Sequence, residues 1–405
     1  MSSSVRMIGK STSQTLLSVP EDRSIFFTQF LLTSPLSCRR NRSRRKADIA
    51  VNFTDSMFKG IYNGRQCHAA DIPTVLARAW SAGVDRIIVM LLLASQGDHC
   101  MNQRRPSLSQ KLMIGYRSCY EGRLYCTVGV HPTRCKEFED SGDPDQYFQA
   151  LVSLAREGIE KGKWLLSHIL GSAFVAVLDT ATASPVVAIG ECGLDYDRLH
   201  FCPAEVQKKY FERQFELAEA VKLPMFLHMR AAAEDFCDIL KRNKERFIAG
   251  VAHSFTGSAE ECDKLLAFEN LFIGINGCSL KTHENLDALC GIPVERMMIE
   301  TDSPYCEIRS THAGMQFVKS NWPSKKKEKY DPDSAVKGRN EPCFVRIDES
   351  SLPRQVLEVV AGAKGIGEIN RLSKVLYHNT CRVFFPNDLD TAADALLEGD
   401  HGINE

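Results

Sequence analysis

Four ionisable side chains stand just past short apolar runs in the sequence. Val187-Ala188-Ile189-Gly190 is followed by Glu191, Met225-Phe226-Leu227 by His228, Gly250-Val251-Ala252 by His253, and Met298-Ile299-Glu300-Thr301 by Asp302. Carboxylates and neutral imidazoles present lone pairs without positive charge, which suits a divalent cation. The intervals of 37, 25 and 49 residues each leave room for one or two strand–helix units. A single histidine after a strand is more often a core residue. Four such groups on one face point instead to a metal centre formed by Glu191, His228, His253 and Asp302.

The apolar runs that would carry these groups are Ala47–Phe53, Arg86–Leu92, Leu124–Val130, Pro185–Gly190, Pro224–Leu227, Ile248–Ala252, Leu271–Ile275 and Met297–Glu300. Between them the apolar spacing approaches 3.6 residues. Asp71-Ile72-Pro73 opens one helix with an N-cap residue and an early proline. Ala204–Val221 keeps Val206, Tyr210, Phe211, Phe215 and Ala218 on one stripe, and Ala259–Phe268 gives a further helix. Strands alternating with helices predict a parallel α/β sheet, and eight of them predict a (β/α)8 TIM barrel. Asp48 to Asp302 is 255 residues, the usual size of that fold. Gln355–Ala363 and Ile369–Phe384 are expected as extra C-terminal helices outside the barrel. The catalytic domain would then span 47–388, followed by a flexible tail, 389–405.

The chain has 405 residues, 44% hydrophobic and 25% charged, which excludes bulk disorder. Lys and Arg total 50 against 51 acids, so a polyanion partner must be met by local charge. Fifteen cysteines are scattered without a CxxC pair, which argues against a zinc ribbon or disulfide framework and for a reducing compartment. No apolar run is long enough to span a membrane. The expectation is a soluble intracellular protein, cytoplasmic or nuclear, with no obligate protein partner evident. Residues 1–46 hold nine Lys or Arg and ten Ser against only Glu21 and Asp22. They are expected to be a disordered extension, either an organellar transit segment or a leader without an address.

The quoted residues belong to longer blocks. They include Asp48-Ile49-Ala50-Val51-Asn52-Phe53-Thr54-Asp55, Thr127-Val128-Gly129-Val130-His131-Pro132, Gly190-Glu191-Cys192-Gly193-Leu194-Asp195-Tyr196 and Phe226-Leu227-His228-Met229-Arg230. Further along come His253-Ser254-Phe255-Thr256-Gly257, Asn276-Gly277-Cys278-Ser279-Leu280-Lys281, Ile299-Glu300-Thr301-Asp302-Ser303-Pro304 and Arg339-Asn340-Glu341-Pro342. Together, in this order, they resemble the TatD-type metal-dependent deoxyribonucleases of the amidohydrolase-like barrel superfamily, especially the eukaryotic branch. The resemblance implies hydrolysis of DNA phosphodiesters, often from an end, with one or two divalent cations. It implies Glu191 as a residue bridging or holding the metals, His228 and His253 as further ligands, and Asp302 as a ligand that also orients or deprotonates water. Glu191 and Asp302 are thus the expected catalytic residues. Where many of the superfamily carry His-x-His on strand one, this chain has Ala50 and Asn52. Fewer imidazoles favour Mg²⁺, with Mn²⁺ or Zn²⁺ as alternatives. Asn52 either offers a carbonyl oxygen to the metal or closes a strand-end turn.

DNA is the expected substrate partner. His131 and Arg230 are candidate phosphate contacts, while Cys192 and Cys278 are expected to be small buried packers rather than nucleophiles. Arg309 to Arg339 holds eight Lys or Arg, among them Lys325, Lys326 and Arg339, against three acids. Trp322 and Tyr330 interleave aromatic surface, which suits bases stacked beside a phosphate track; the alternative is a solvated loop. Two segments depart from the family pattern: the stretch after strand two, to Cys119, and an inserted apolar segment, Trp164–Pro185, expected outside the barrel wall. A shorter interruption, Ile347–Pro353, has the same character. Two other functions compete with a nuclease: a C–N hydrolase on the same barrel, or an inactive barrel that binds a partner.

Overall fold

Alternation along each strand decides which side chains enter the barrel and which face the helices. The computed structural model describes residues 46–90, 123–160, 186–320, 323–345 and 355–389. Among them, eight strands form one sheet in chain order: β1 (Lys46–Val51), β2 (Val84–Val89), β3 (Leu124–Val128), β4 (Val186–Asp195), β5 (Met225–Arg230), β6 (Gly250–His253), β7 (Leu271–Ile275) and β8 (Met297–Ile299). All adjacent pairs are parallel. Past β8, Ser303 bridges back to Val51, and the Asn52 amide donates to the Ser303 carbonyl at 2.7 Å. The result is a nearly closed (β/α)8 TIM barrel. Helices α1 (Ile72–Ser81), α2 (Pro144–Glu160), α3 (Ala204–Val221), α4 (Ala233–Arg242), α5 (Ala259–Leu266) and α6 (His283–Gly291) lie between strands, and α7 (Gln355–Ala363) and α8 (Ile369–Phe384) follow.

Met225, Leu227, Ala252, Ile273 and Ile299 point outward into a core shared with the helices. Their neighbours Phe226, Val251, Phe272 and Met298 point inward with Ile49, Ile88, Tyr125 and Val187. This inner layer fills the barrel near the amino ends of its strands. Phe384 and Phe385, at the end of α8, join that inner cluster, with Phe385 4.5 Å from the Tyr125 ring. The expectation that the last helix stays outside is corrected in this respect: its terminal aromatics plug the barrel floor. Two residues further along the inward parity come His228, His253 and Glu300. An apolar floor thus supports a polar layer.

Leu271–Ile275, Ala204–Val221, Gln355–Ala363 and Ile369–Phe384 form as the sequence predicts. The ends of β4 and β5 do not. Both strands continue past the expected termini, so Glu191 and His228 sit within strands rather than after them. Lys46, grouped by its charge with the leader, is the buried first residue of β1. The expectations for residues 1–45, for the stretch 91–119, for Trp164–Pro185, for Ile347–Pro353 and for the tail beyond Leu389 lie outside the described residues.

Asp71 occupies the N-cap position of α1, yet its side chain makes no capping bond. Both its oxygens accept instead from Arg339, at 2.8 and 2.7 Å. Glu341 joins the same guanidinium at 2.9 Å and also takes two bonds from Arg78, at 2.9 and 3.0 Å. Arg339 is fully buried. Its expected contact with substrate is therefore corrected: the guanidinium ties the segment after β8 to α1 and offers no surface to a phosphate. Replacing Arg339 by Ala leaves two buried carboxylates short of a partner. The expected loss is about 3–5 kcal/mol in chemical denaturation; a loss within the 0–1 kcal/mol typical of surface pairs would overturn this assignment.

Candidate metal centre

A bulge in β4 aims the central carboxylate. Gly190 pairs with Phe226 and Cys192 with Leu227, so Glu191 has no partner on β5. Such an extra residue redirects a side chain and sharpens the local twist. Gly190 and Gly193 flank it with φ of 145° and 143°. A Cβ at either would stand 2.2 Å from the Phe226 carbonyl oxygen or 1.9 Å from that of His228, so only glycine fits.

Glu191 Oε1 lies 2.7 Å from His228 Nδ1 and 2.7 Å from His253 Nε2, and these two nitrogens are 3.3 Å apart. His131 Nε2 approaches the same oxygen at 3.5 Å. His131 is thus drawn into the cluster itself, beyond the phosphate contact expected for it. On the far side of each central ring stands another carboxylate. Asp195 Oδ2 is 3.4 Å from His228 Nε2, and Glu300 Oε1 is 3.4 Å from His253 Nδ1. A carboxylate behind an imidazole fixes ring orientation and keeps the front nitrogen's lone pair available. Glu300 is itself held by the Ser254 amide at 2.6 Å and by Asn276 Nδ2 at 3.1 Å. Asp195 is buried, and neither of its oxygens has a hydrogen-bond donor in good geometry among the described residues.

Two sets of three ligand atoms therefore lie close enough to hold a cation: Glu191, His228 and His253, and His131, Asp195 and His228. These donors fit a divalent metal. Asp302 belongs to neither set. It sits at the rim, where its Oδ1 accepts from Asn52 Nδ2 at 2.9 Å. Asn52 thus orients Asp302 while its backbone closes the barrel. Asp48 pins the chain before Asp302, accepting from the Thr301 amide at 2.9 Å and the Thr301 hydroxyl at 2.6 Å.

Electrostatics follow from burying so many ionisable groups. Burial pushes the Glu191 carboxyl up, but His253 and His131 and the bonds from His228 and His253 hold it well below its ordinary value. Burial lowers His253, yet Glu191 and Glu300 override it and hold the ring well above its usual range; His228 shifts up in the same sense, through Asp195 and Glu191. His131 is pulled down by burial to about 4, so it is a neutral imidazole at neutral pH. Burial pushes Asp302 up to about 6, with the charge of His253 opposing.

The remaining candidates lie further out. Arg230 is exposed and held by Asp197 Oδ2 at 2.7 Å and Thr256 Oγ1 at 2.7 Å. Lys325 and Lys326 are exposed, with Lys325 paired to Asp331. The basic stretch lies against the loop after β1: Tyr330 stacks on His68 with ring centroids 4.4 Å apart, and Lys327 lies over Tyr62 at 5.0 Å. The Tyr330 face covered by His68 is not open to a base; Trp322 is outside the described residues. Cys192 is a buried packer as expected, but Cys278 is half-exposed. Asp195 and Glu300 were not singled out from the sequence. Strand parity would have found them, four residues after Glu191 and two after inward-facing Met298.

A family model described as TatD related DNase matches residues 47–385. Deoxyribonuclease Tat-D of Schizosaccharomyces pombe is 39% identical over 343 residues, covering 84% of this chain and 95% of the relative. A 3'-5' ssDNA/RNA exonuclease TatD of Yersinia pseudotuberculosis is 32% identical over 340 residues, 83% of this chain and 98% of the relative. The crystal structure of a hydrolase TatD family protein from Entamoeba histolytica superposes with a TM-score of 0.68 at 30% identity, covering 85% of this chain and 99% of that one.

Protons compete with a metal for these ligands, because each bound proton must leave first. Mn²⁺ affinity, measured by calorimetry, should therefore rise with pH. It should keep rising above the ordinary histidine value of 6.5, since His228 and His253 retain protons beyond it. Asp195→Asn and Glu300→Gln should each weaken binding by about 10–100-fold with unchanged circular dichroism. Flat affinity across this pH range, or tight binding by both variants, would count against the centre.

Proposed function

Because the chain belongs to the TatD-related deoxyribonuclease family, we propose that it is a metal-dependent deoxyribonuclease that hydrolyses DNA phosphodiester bonds as an exonuclease. The observation that carries this reading is the meeting of His228 Nδ1 and His253 Nε2 on Glu191 Oε1, at 2.7 Å each. Glu191, His228 and His253 would hold a divalent cation, with Asp302 completing its ligands from the rim and His131 and Asp195 able to hold a second. When bound, such a cation lowers the pKa of water and screens the charge of the phosphodiester. Mg²⁺ is the ion expected from the sequence, with Mn²⁺ or Zn²⁺ as alternatives, because each set offers two imidazole nitrogens beside its carboxylate oxygen.

The protein's own groups do the rest. At neutral pH Asp302 is ionised, being pushed only to about 6, and can accept a proton from the attacking water. Asn52 holds Asp302 Oδ1, which fixes the carboxylate plane. Water's oxygen bonds to phosphorus, the phosphorus–oxygen bond to the leaving nucleotide breaks, the water proton passes to Asp302, and the departing oxygen takes a proton from solvent. Arg230, exposed beside the mouth, and Lys325 and Lys326, on the loop after β8, are suited to contact flanking phosphates. No helix among the described residues is long and apolar enough to cross a membrane.

Digestion of end-labelled single- and double-stranded DNA with added Mg²⁺ or Mn²⁺ tests the activity. Products should shorten from one end, and chelation or Glu191→Gln should stop the reaction. Asp302→Asn should lower turnover by about 10²–10⁴-fold, the usual worth of a positioned base, while DNA binding changes little. Equal losses of turnover and binding would refute the proton-acceptor role. Neutralising Lys325, Lys326 and Lys327 together should flatten the salt dependence of duplex binding by up to ~0.9 per lost phosphate contact. An unchanged slope would make the loop ordinary solvated surface.

A further inference from the structure

Two thiols meet beside Asp302. Cys278, in the turn after β7, donates to Cys306, in the loop after β8, with the sulfurs 2.9 Å apart. Cys306 Sγ in turn donates to Asp302 Oδ2 at 3.3 Å. Both are free and partly exposed, whereas Cys135, Cys192 and Cys343 are buried. The approach is built into the backbone. A Cβ on Gly277 would lie 2.0 Å from the Cys306 carbonyl oxygen, so the two loops can close this far only because residue 277 is glycine. The turn is also tied to the centre: Asn276 Oδ1 accepts from the Cys278 amide at 2.9 Å, while Asn276 Nδ2 donates to Glu300 at 3.1 Å.

We propose that Cys278 and Cys306 form a reversible disulfide site, oxidised by a peroxide, that switches the Asp302 carboxylate out of its working arrangement. Cys278 sulfur attacks the peroxide; the O–O bond breaks, leaving a sulfenic acid and releasing water or an alcohol. Cys306 sulfur then attacks Cys278 sulfur, the S–S bond forms, the S–O bond breaks, and the hydroxyl leaves with the Cys306 proton as water. Two thiols lose two protons and two electrons, which the peroxide accepts. The proton lost from Cys306 is the one that Asp302 Oδ2 receives as a hydrogen bond. The sulfurs also close from 2.9 Å to about 2.05 Å, drawing Cys306 toward Cys278. In a reducing compartment such a bond forms only transiently, as a response to oxidant.

The consequence for hydrolysis rests on the nuclease reading; the disulfide itself does not. The full-length reduced protein is treated with equimolar hydrogen peroxide, and peptide mapping then looks for a Cys278–Cys306 cross-link. Mn²⁺ affinity and DNA hydrolysis are measured before oxidation, after it, and after dithiothreitol. The expected result is that cross-link, with affinity or turnover reduced about tenfold, the low end for losing an outer partner of a metal ligand, and restored by reduction. Cys278→Ser should retain its starting activity and lose the peroxide response. Peroxide that leaves sulfinic acids and no cross-link, a cross-link that changes neither affinity nor turnover, or inhibition that persists in Cys278→Ser would each overturn the proposal. A cross-link that alters Mn²⁺ affinity in a protein unable to cut DNA would uphold the site and refute the nuclease reading instead.

Discussion

The mouth of the barrel is organised by one carboxylate oxygen. Glu191 Oε1 receives His228 and His253 at 2.7 Å and His131 at 3.5 Å, and all of these groups are largely withdrawn from water. Burying charge is costly unless it is matched. The structure matches it in layers: imidazoles around Glu191, then Asp195 and Glu300 behind the imidazoles. The surplus of lone pairs at the middle is what a divalent cation would neutralise. The bulge at Glu191 and the glycines beside it are the backbone's contribution, since no regular strand would bring that oxygen to the axis while keeping its neighbours paired with β5.

A second buried network braces the first. Arg339, Asp71, Glu341 and Arg78 lock the segment after β8 onto α1. Between Arg339 and Glu341, Asn340 donates to the Thr301 carbonyl at 2.8 Å. Thr301 is held from the other side by Asp48 of β1. Asp302, with φ of 53°, therefore emerges from a backbone gripped by both ends of the sheet. A residue expected to move protons benefits from such fixing, because small displacements at the reacting centre are expensive. The same rigidity places Cys306 against Asp302 and lets a change at one sulfur be felt by the carboxylate. It also explains why cations in the Arg309–Arg339 stretch divide between two tasks: Arg339 holds the fold, while Lys325 and Lys326 remain at the surface.

Much of this was legible in the sequence because it is local. The unbroken apolar runs Met225–Leu227 and Leu271–Ile275, and the helical stripe of Ala204–Val221, follow from which side chains must leave water. The motif residues Glu191, His228 and His253 announce their chemistry by type and by position near a strand's end. What the tertiary structure decided is everything that depends on partners distant in the chain. Gly190 looks like a strand end until β5 lies close enough to exclude any Cβ. Arg339 looks like part of a basic track until Asp71 and Glu341 meet it in the interior. Cys278 looks like a buried packer until Cys306, 28 residues away, is brought to 2.9 Å. Hydrophobic periodicity is a property of neighbours along the chain, whereas the fate of a charge, a thiol or a glycine is set by which distant groups the closed barrel brings against it.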